Sequence, residues 1–389
     1  MMARKVLVAM SGGVDSSVAA AMLVSQGWEV LGVTLKLWPA VAPDGSLGSP
    51  AAVEEARRSA GHLGIPHQVL DVSEDFRRHV VEPFIADYRR GRTPNPCVLC
   101  NERIKFGVLF SLASELAASR LATGHYARVG TDPEAGIYRL LRARDADKDQ
   151  TYVLYRLGQG ELERVVWPLG GLKKTEVRDL ARSLGWRLAD KPESQEICFV
   201  GECGYRQFLR AAIPDALREG PIYHIRGELL GYHRGLPLYT VGQRRGLGLA
   251  WPQPLYVVRL DPERNAVVVG SRDDLACGGL VATRVNFIPF SELPGPLQVT
   301  VKVRYGRDEY PALIRPVPAP CGYAGPAVAA VFERPVRAVA PGQAAVFYRG
   351  EEVIGGGTIH SALDANGKSM EGAEQGHPDR GEVDVADGG

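Results

Sequence analysis

Apolar and polar positions follow two different patterns along the chain, and the change comes near Phe208. Before that point, short apolar runs that predict buried strands alternate with stretches that predict helices. This alternation is typical of a parallel sheet with helices on both faces. The predicted strands are Arg4–Met10, Glu29–Leu37, His67–Val72 and Leu121–Gly124, and the predicted helices are Ser16–Ser25, Glu54–Leu63, Glu74–Arg89 and Lys105–Ala118, with a loop over Pro39–Pro50.

From Gly220 onward the pattern consists of short β-like runs separated by Gly, Pro and Asp, which is typical of small antiparallel barrels. The chain is therefore predicted to be an α/β protein with three domains. We assign a parallel-sheet domain to residues 1–208, a small central β-rich domain to 209–279 and an antiparallel β-barrel to 280–365. Residues 366–389 are polar, Gly-rich and acidic, and we predict that they are disordered.

Composition narrows the class of protein. The chain has 389 residues, of which 45% are hydrophobic and 23% charged, as expected of a soluble globular protein with two or three domains. It contains no apolar run long enough to span a membrane and no secretory signal pattern, which predicts a cytoplasmic protein without a membrane partner. In that reducing compartment the six cysteines are expected to be free, metal-bound or catalytic.

The clearest chemical motif is Ser11–Ser17, with the sequence SGGVDSS, between a predicted strand and a predicted helix. Its glycines let the backbone approach a phosphate, and the helix N-terminus presents unpaired N–H groups to an anion. The motif lacks Gly-Lys-Ser/Thr, so it is not a Walker loop. It resembles the pyrophosphate-binding loop of the ATP pyrophosphatase family. The alternative is a tight turn that uses glycine for its geometry alone.

Two further motifs contain cysteine. Residues 93–101 (TPNPCVLCN) are predicted to form a rigid loop that presents Cys97 and Cys100 just ahead of the Lys105 helix, where Arg103 and Lys105 are expected to lower the thiol pKa. A lone CxxC also fits half a zinc site, a redox pair or two packed thiols. Cys198 lies in an apolar run and, taken alone, is interpreted as a buried core thiol.

Basic segments are candidates for binding an RNA backbone, because the net charge of +1 creates no strong global field. The most favourable is Gln243–Gly246, where paired arginines lie in a Gly-rich turn. The Lys173-Lys174 pair is interpreted as an ordinary solvated face.

Taken together, these motifs resemble the tRNA-specific 2-thiouridylase family of bacterial type. The resemblance covers about residues 4–362, and its segments occur in the order of the family: SGGVDSS, GRTPNPCVLCNERIKFG, ATGHYARV, KDQTYVLYRL, DKPESQEICFVGE, YTVGQRRGLG and APGQAAVFYRGEEVIGGGTI.

The resemblance implies an adenine nucleotide α-hydrolase-like fold and a sulfurtransferase activity. In that reaction ATP adenylates the C2 oxygen of the wobble uridine, and a cysteine persulfide supplies sulfur to give 2-thiouridine, AMP and pyrophosphate. The implied cofactors are ATP and Mg²⁺. The implied partners are tRNA, bound through its anticodon loop and by the central domain, and a persulfide sulfur-donor protein.

Site residues follow from the resemblance position by position. Cys100 matches the nucleophile and Cys198 the persulfide carrier, and the two would form a transient disulfide. The implied ATP-binding residues are Ala9, Met10, Ser11, Gly12, Gly13, Val14, Asp15, Ser16, Leu35 and Gly124. The implied tRNA-binding residues are Asn95, Pro96, Cys97, His125, Lys148, Asp149, Gln150, Arg304, Tyr305 and Gln343.

One departure from the family widens the range of functions that fit the sequence. Many members have Asp where this chain has Cys97, so Cys97, Cys100 and Cys198 together could hold an iron–sulfur cluster and make the protein a cluster-dependent tRNA thiolase. The motifs are also compatible with a ligase or amidotransferase that acts on a different carbonyl, with a tRNA-binding protein that has a relic nucleotide site, and with a zinc-stabilised RNA binder.

Overall fold

The structure is a computed structural model, and it describes residues 4–37, 50–190, 197–200 and 204–370. Most of the predicted Pro39–Pro50 loop, and the predicted acidic tail beyond residue 370, lie outside these residues. In the described part no helix is long and apolar enough to cross a lipid bilayer.

The helices cluster in the first 212 residues. They are α1 (Val14–Ser25), α2 (Pro50–Leu63), α3 (Ser73–Phe76), α4 (Glu82–Arg89), α5 (Pro96–Leu99), α6 (Leu109–Glu115), α7 (Gln159–Arg164), α8 (Lys174–Ser183) and α9 (Gly204–Ala212). Two π-helical segments, Arg77–Val81 and Cys100–Val108, join α3 to α4 and α5 to α6. Short 3-10 turns occupy Thr151–Val153, Arg187–Asp190, Pro214–Ala216, Leu236–Leu238 and Asp273–Leu275.

Strands run through the whole described chain. They are β1 (Lys5–Ala9), β2 (Glu29–Lys36), β3 (His67–Asp71), β4 (Arg120–Ala122), β5 (Arg128–Asp132), β6 (Ile137–Leu141), β7 (Val165–Val166), β8 (Gly220–His224), β9 (Leu229–His233), β10 (Tyr256–Asp261), β11 (Ala266–Gly270), β12 (Ala276–Phe287), β13 (Leu297–Lys302), β14 (Tyr310–Val317), β15 (Ala327–Arg337), β16 (Ala344–Arg349) and β17 (Glu352–Leu363).

The first sheet confirms the α/β prediction. Its order is β3-β2-β1-β4-β7, and every neighbouring pair is parallel. Val6, Leu7 and Val8 of β1 are fully buried, as expected for a central strand covered on both faces. The chain leaves β1 toward β2 on one side and returns to β4 on the other, so the order reverses at β1. In open α/β sheets, ligands bind outside the carboxyl ends of the strands at such a point.

Two helices begin at least one turn earlier than predicted. The Glu54–Leu63 helix begins at Pro50, and the larger difference concerns the cysteines. The Lys105–Ala118 helix begins instead at Pro96 and continues through the π-helical segment into α6. Pro96 occupies the first turn, where the missing N–H of proline costs nothing and its fixed φ suits a helix. Cys97 and Cys100 therefore lie on a helix rather than in a loop ahead of it.

The antiparallel barrel is also confirmed. Strands β12, β15, β14, β13, β16 and β17 pair in that order, and β17 pairs back with β12 to close the barrel. A small sheet of order β10-β11-β8-β9 lies between the two larger parts of the chain. The hairpin β5–β6, from the segment assigned to the first domain, pairs with β17 and extends the barrel sheet. The same apolar core contains Leu7 of β1 and Val346 of β16.

A candidate nucleotide and cysteine site at the carboxyl end of the parallel sheet

The Gly-rich turn between β1 and α1 has the geometry of an anion-binding loop. Gly12 has φ +73°, and a Cβ at this position would lie 2.1 Å from the carbonyl oxygen of Ala52, so only glycine fits. The Ser16 hydroxyl accepts from the Ser11 amide at 3.0 Å and donates to the Gly13 carbonyl at 3.1 Å. These bonds hold the turn open at the N-terminus of α1, where backbone N–H groups favour an anion.

Neighbouring strands complete this loop on both sides. Gly124 follows β4, and a Cβ there would approach the amide nitrogen of Ser16 to 2.7 Å and the carbonyl carbon of Asp15 to 2.8 Å. On the other side, the Thr34 hydroxyl of β2 donates to the Met10 carbonyl at 2.7 Å, directly before Leu35. The fold therefore brings together the three stretches from which the ATP-binding residues were predicted.

Lys174 is a site residue that sequence reasoning missed. Its Nζ lies 2.7 Å from both carboxylate oxygens of Asp15, and the Tyr126 hydroxyl donates to the same carboxylate at 2.7 Å. Lys174 is only 8% exposed, so the interpretation of Lys173-Lys174 as a solvated face is wrong for Lys174. Two lysines at the start of a helix oppose the helix dipole, and this was the signal in the sequence of a special role.

The Asp15 carboxylate and the Ser16 hydroxyl have different partners. The carboxylate binds Lys174 and Tyr126, whereas Ser16 bonds to the backbone of the loop. The Asp15–Lys174 ion pair neutralises the carboxylate next to the loop. A lysine ammonium at this position can also bind a phosphate that enters the loop.

Cys100 and the residues that flank Cys198 lie in one apolar cluster. Cys100 is buried at the start of the π-helical segment, and it packs with Phe76 and Phe84 in the cluster that also contains Phe199 and Val200, the residues after Cys198. Cys97 and Cys198 are exposed, and all three thiols are free. They are close enough that ionised Cys198 and Cys97 would each raise the pKa of Cys100, and ionised Cys97 that of Cys198.

Burial sets the protonation of these thiols. It raises the pKa of Cys100 to about 12. Although Cys97 and Cys198 are exposed residues, the protein around their sulfur atoms also keeps water from the thiols and raises the pKa of both. The charge of Lys105 lowers all three in the predicted direction but is outweighed. The predicted net lowering of the thiol pKa is therefore wrong, and the Arg103 guanidinium instead forms an ion pair with Glu102 at 3.2 Å.

The described residues contain no group of three or more His, Cys, Asp or Glu side chains arranged to hold a metal ion. The three thiols share one region but do not form a ligand set in this conformation. The prediction of an iron–sulfur cluster on Cys97, Cys100 and Cys198 is therefore not confirmed by the described residues.

The residues predicted to bind tRNA fall into two groups. The first surrounds the start of α5, where the Gln343 amide donates to the carbonyls of Thr93 at 3.0 Å and Pro94 at 3.2 Å, just before Asn95. Gln343 thus forms hydrogen bonds with the segment that leads into the helix of Cys97 and Cys100, which we call the cysteine helix. His125 is buried nearby, and burial holds the pKa of its imidazole well below the usual range while its Nδ1 lies 2.7 Å from the Thr123 hydroxyl.

The second group lies where residues 148–150 face the barrel. Asp149 is buried, and its carboxylate accepts from the Ala143 amide at 3.0 Å and the Thr151 hydroxyl at 2.7 Å. Gln150 accepts from the Tyr126 amide at 2.9 Å. On the barrel side, Tyr305 is 57% exposed and packs edge-on against Tyr152, with ring centroids 6.0 Å apart. Lys148, Arg304 and Tyr305 remain predicted tRNA contacts. The Asp149 carboxylate instead accepts hydrogen bonds from groups within the protein.

The fold and this site define a nucleotide-binding α/β protein of the ATP pyrophosphatase class whose parallel-sheet part also carries Cys100 and Cys198. Three family models match successive parts of the chain: a tRNA methyl transferase HUP domain over residues 4–202, a tRNA methyl transferase PRC-barrel domain over 206–271 and an aminomethyltransferase beta-barrel domain over 278–359. Full-length relatives identify the family more closely. The chain belongs to the tRNA-specific 2-thiouridylase family.

The similarity extends over nearly all of the chain and of its relatives. The tRNA-specific 2-thiouridylase MnmA of Moorella thermoacetica is 50% identical over 359 residues, which cover 91% of this chain and 99% of that protein. The protein of the same name from Heliobacterium modesticaldum is 48% identical over 93% of this chain and 94% of its own length. A solved 4-thiouridine synthetase–RNA complex with bound ATP covers 54% of this chain and 50% of its own at 20% identity, and its TM-score of 0.36 is too low to bear on function.

Proposed function

We propose that this chain is an ATP-dependent tRNA 2-thiouridylase that places sulfur on C2 of the wobble uridine. The observation that carries the proposal is the shared position of Cys100 and the segment of Cys198 in one cluster within the domain whose β1–α1 turn forms the anion-binding loop. A ligase or amidotransferase would use the loop but has no need of two thiols. Methyl transfer, the activity in the names of the domain models, needs neither a pyrophosphate loop nor paired cysteines.

ATP overcomes the low reactivity of the uracil carbonyl. The C2 oxygen is a poor leaving group, and attack of this oxygen on the α-phosphate of ATP makes it part of AMP and releases pyrophosphate. The backbone of Gly12-Gly13 and the N-terminus of α1 bind the departing pyrophosphate, with Lys174 beside them. Mg²⁺ bound with ATP would offset the phosphate charge. Asp15 is the carboxylate of the loop that would hold it, and Lys174 would then have to release at least one of its oxygens.

Sulfur transfer uses both cysteines, one to carry the persulfide and one to break its S–S bond. The terminal sulfur of a Cys198 persulfide attacks C2, and AMP leaves with the original oxygen. The Cys100 thiolate then attacks the Cys198 sulfur, the persulfide S–S bond breaks, and its electron pair stays on the sulfur bound to C2 as the thiocarbonyl. The Cys100–Cys198 disulfide that remains needs an external thiol reductant before the next turnover. Its formation requires Cα atoms within about 7 Å.

The persulfide is supplied from outside, and a persulfide-carrying protein is the proposed donor. Cys198 is the exposed member of the pair and Cys100 the buried one, which suits a division between receiving sulfur and resolving the intermediate. The target base has to leave its stack, and unpaired bases of an anticodon loop do this at low cost.

Nucleoside mass spectrometry tests the proposal. The protein, incubated with ATP, a persulfide donor and a tRNA that has a wobble uridine, is expected to form 2-thiouridine with one AMP per modified base. Cys100→Ser and Cys198→Ser should abolish 2-thiouridine, whereas Cys321→Ser, at an exposed thiol of the barrel, should not. Formation of AMP and pyrophosphate without 2-thiouridine in the wild type would favour a ligase acting on a different carbonyl.

A further inference from the structure

A cavity of about 410 Å³ lies in the central domain, outside the site described above. It is lined by Arg244 and by most residues from Gly246 to Leu255, which connect the 3-10 turn after β9 to β10. Gly246 has φ +76° and Gly248 has φ +70°, left-handed backbone angles that favour glycine.

Trp251 forms an aromatic wall of the cavity. Its indole stacks on the His224 imidazole with ring centroids 5.4 Å apart and an interplanar angle of 25°. One face is thus supported by a buried histidine, while the side chain is still 39% exposed and lines the cavity. Pro252 and Pro254 restrict the backbone around it. A supported, rigid indole with an accessible surface can stack a planar ligand at little cost in conformational entropy.

Two guanidinium groups lie at the same cavity. Arg244 lines it, and Arg206 of α9 places its guanidinium 3.5 Å from where a Cβ on Gly246 would be. In the described part of the chain, no carboxylate lies within ion-pair distance of Arg244 or Arg206. The missing side chain at Gly246 leaves the Arg206 guanidinium approachable. Arginine in this setting suits a phosphate, which accepts the two parallel N–H bonds of its fork.

We propose that this cavity binds one unstacked nucleotide of the RNA substrate, with the base stacked on Trp251 and the adjacent phosphate bound by Arg244 and Arg206. The inference rests on the proposed function, because it assigns the cavity to the tRNA. A base–aromatic stack tolerates any base, so the cavity contributes affinity and register rather than sequence recognition.

Binding of an in vitro transcribed tRNA tests the proposal in the full-length protein. Trp251→Ala should raise the Kd about 5- to 150-fold, the equivalent of about 1–3 kcal/mol for one lost stack, while Trp251→Phe keeps most of the affinity. Arg244→Ala should weaken binding and reduce the slope of log Kd against log salt by about 1. The rate at saturating tRNA should not change, because the cavity does not touch the reacting base.

The matched controls are Tyr232→Ala, at a 61% exposed aromatic on β9, and Arg264→Ala, at the turn between β10 and β11, both outside the cavity lining. Trp251→Ala affinity within twofold of the wild type, or an equal loss in Tyr232→Ala, overturns the cavity assignment. Wild-type 2-thiouridine measured on the same samples tests the proposed function separately. If it forms while Trp251→Ala binds normally, only the cavity assignment fails. If no 2-thiouridine forms but Trp251→Ala still loses affinity, only the proposed activity fails.

Discussion

The pKa of the Cys100 thiol differs from the value that its neighbours in the sequence predict. The sequence places two cations within five positions of this thiol, yet burial in the Phe76 and Phe84 cluster raises its pKa to about 12. The spacing of these residues in the sequence shows neither that Arg103 forms an ion pair with Glu102 nor that the Cys100 thiol is buried. Thiol activation in the free protein is therefore weak. It requires a change of environment when the substrates bind, or a base that takes the proton.

The raised pKa predicts how Cys100 responds to pH. Only the thiolate is alkylated, and well below the pKa its fraction grows about tenfold per pH unit. Alkylation of Cys100 by iodoacetamide in the free protein should therefore rise about tenfold per unit from pH 7 to 9 without levelling. Peptide mass spectrometry gives the rate, with exposed Cys321 as the internal comparison. A rise of only about threefold between pH 8 and 9, as for an ordinary cysteine with a pKa near 8.5, would contradict this expectation.

A second prediction for a single residue concerns Lys174 and the affinity for ATP. Lys174→Met removes the cation from the Asp15 carboxylate and adds a net negative charge beside the phosphate loop. The affinity for ATP should fall about 10- to 100-fold, because a hydrogen bond to a charged group contributes about 1.5–3 kcal/mol. Isothermal titration with ATP and Mg²⁺ measures this loss, and Lys174→Arg should retain part of the affinity.

The control for Lys174→Met is Lys173→Met, at the neighbouring position, which is outside the Asp15 ion pair. An unchanged ATP affinity in Lys174→Met would mean that Lys174 neither binds the nucleotide nor affects it through the charge at the loop. The affinity for tRNA should be unaffected in both variants, since the ion pair lies at the nucleotide loop.

At the scale of elements, four of the five strands of the first sheet were predicted and β7 was missed, and the helix that contains the cysteines was predicted to begin too late. Continuous apolar runs such as residues 5–9 identify a buried strand without tertiary information. The helix start at Pro96 was missed because two prolines in TPNPC indicate a loop, and only packing of Val98 and Cys100 in two apolar clusters favours helix there. Pairing of the β5–β6 hairpin with β17 could not be predicted from the sequence either, because it joins positions about 210 residues apart.

The contact between the end of β4 and the start of α1 gives a prediction about these elements. Gly124→Ala would place a methyl group 2.7 Å from the Ser16 amide nitrogen, which is backbone and cannot move aside cheaply. The strand or the phosphate loop must shift, so binding of ATP should fall at least tenfold while the protein stays folded. Gly136→Ala, at a glycine with open space around it, is the folding control, although its φ of +65° adds some strain there.

Loss of ATP affinity in Gly124→Ala should occur without loss of tRNA affinity, because the displaced backbone lies at the nucleotide loop. Nucleotide titration and tRNA binding on the same preparation separate the two effects. Equal loss of both would mean that the variant disturbs the whole domain rather than the phosphate loop.

At the scale of the whole molecule, the barrel and the parallel-sheet domain are joined by buried charge as well as by apolar packing. Arg142, directly after β6, pairs with Glu309 at 2.7 Å and lies over the Tyr348 ring of the barrel at 3.8 Å. Lys302 of the barrel lies 3.9 Å from the Asp149 carboxylate. A buried charge without its partner is costly, so these pairs favour one relative position of the two parts. The predicted tRNA contacts on both sides of this junction are thereby held in a fixed relation.

The barrel also contacts the segment directly before the helix of Cys97 and Cys100. Thr93 donates its amide to the Pro341 carbonyl at 2.8 Å, and Arg92 donates to the His360 carbonyl at 2.9 Å and to the Tyr323 hydroxyl at 2.8 Å. With the Gln343 bonds to Thr93 and Pro94, these contacts attach the segment before Pro96 to the barrel. The position of Cys97 and Cys100 therefore depends on a domain nearly 250 residues further along the chain.

Gln343→Leu separates two roles for this side chain. If Gln343 positions the cysteine helix, its loss should lower the rate of 2-thiouridine formation at saturating tRNA about 10- to 100-fold, because displacement of reacting groups by about 1 Å can cost about 100-fold. The Kd for tRNA should then stay within a factor of two. Arg92→Met, which loosens the same segment from the other side, should behave alike. A large rise in Kd with an unchanged rate in Gln343→Leu, and no such effect in Arg92→Met, would instead make Gln343 a direct tRNA contact.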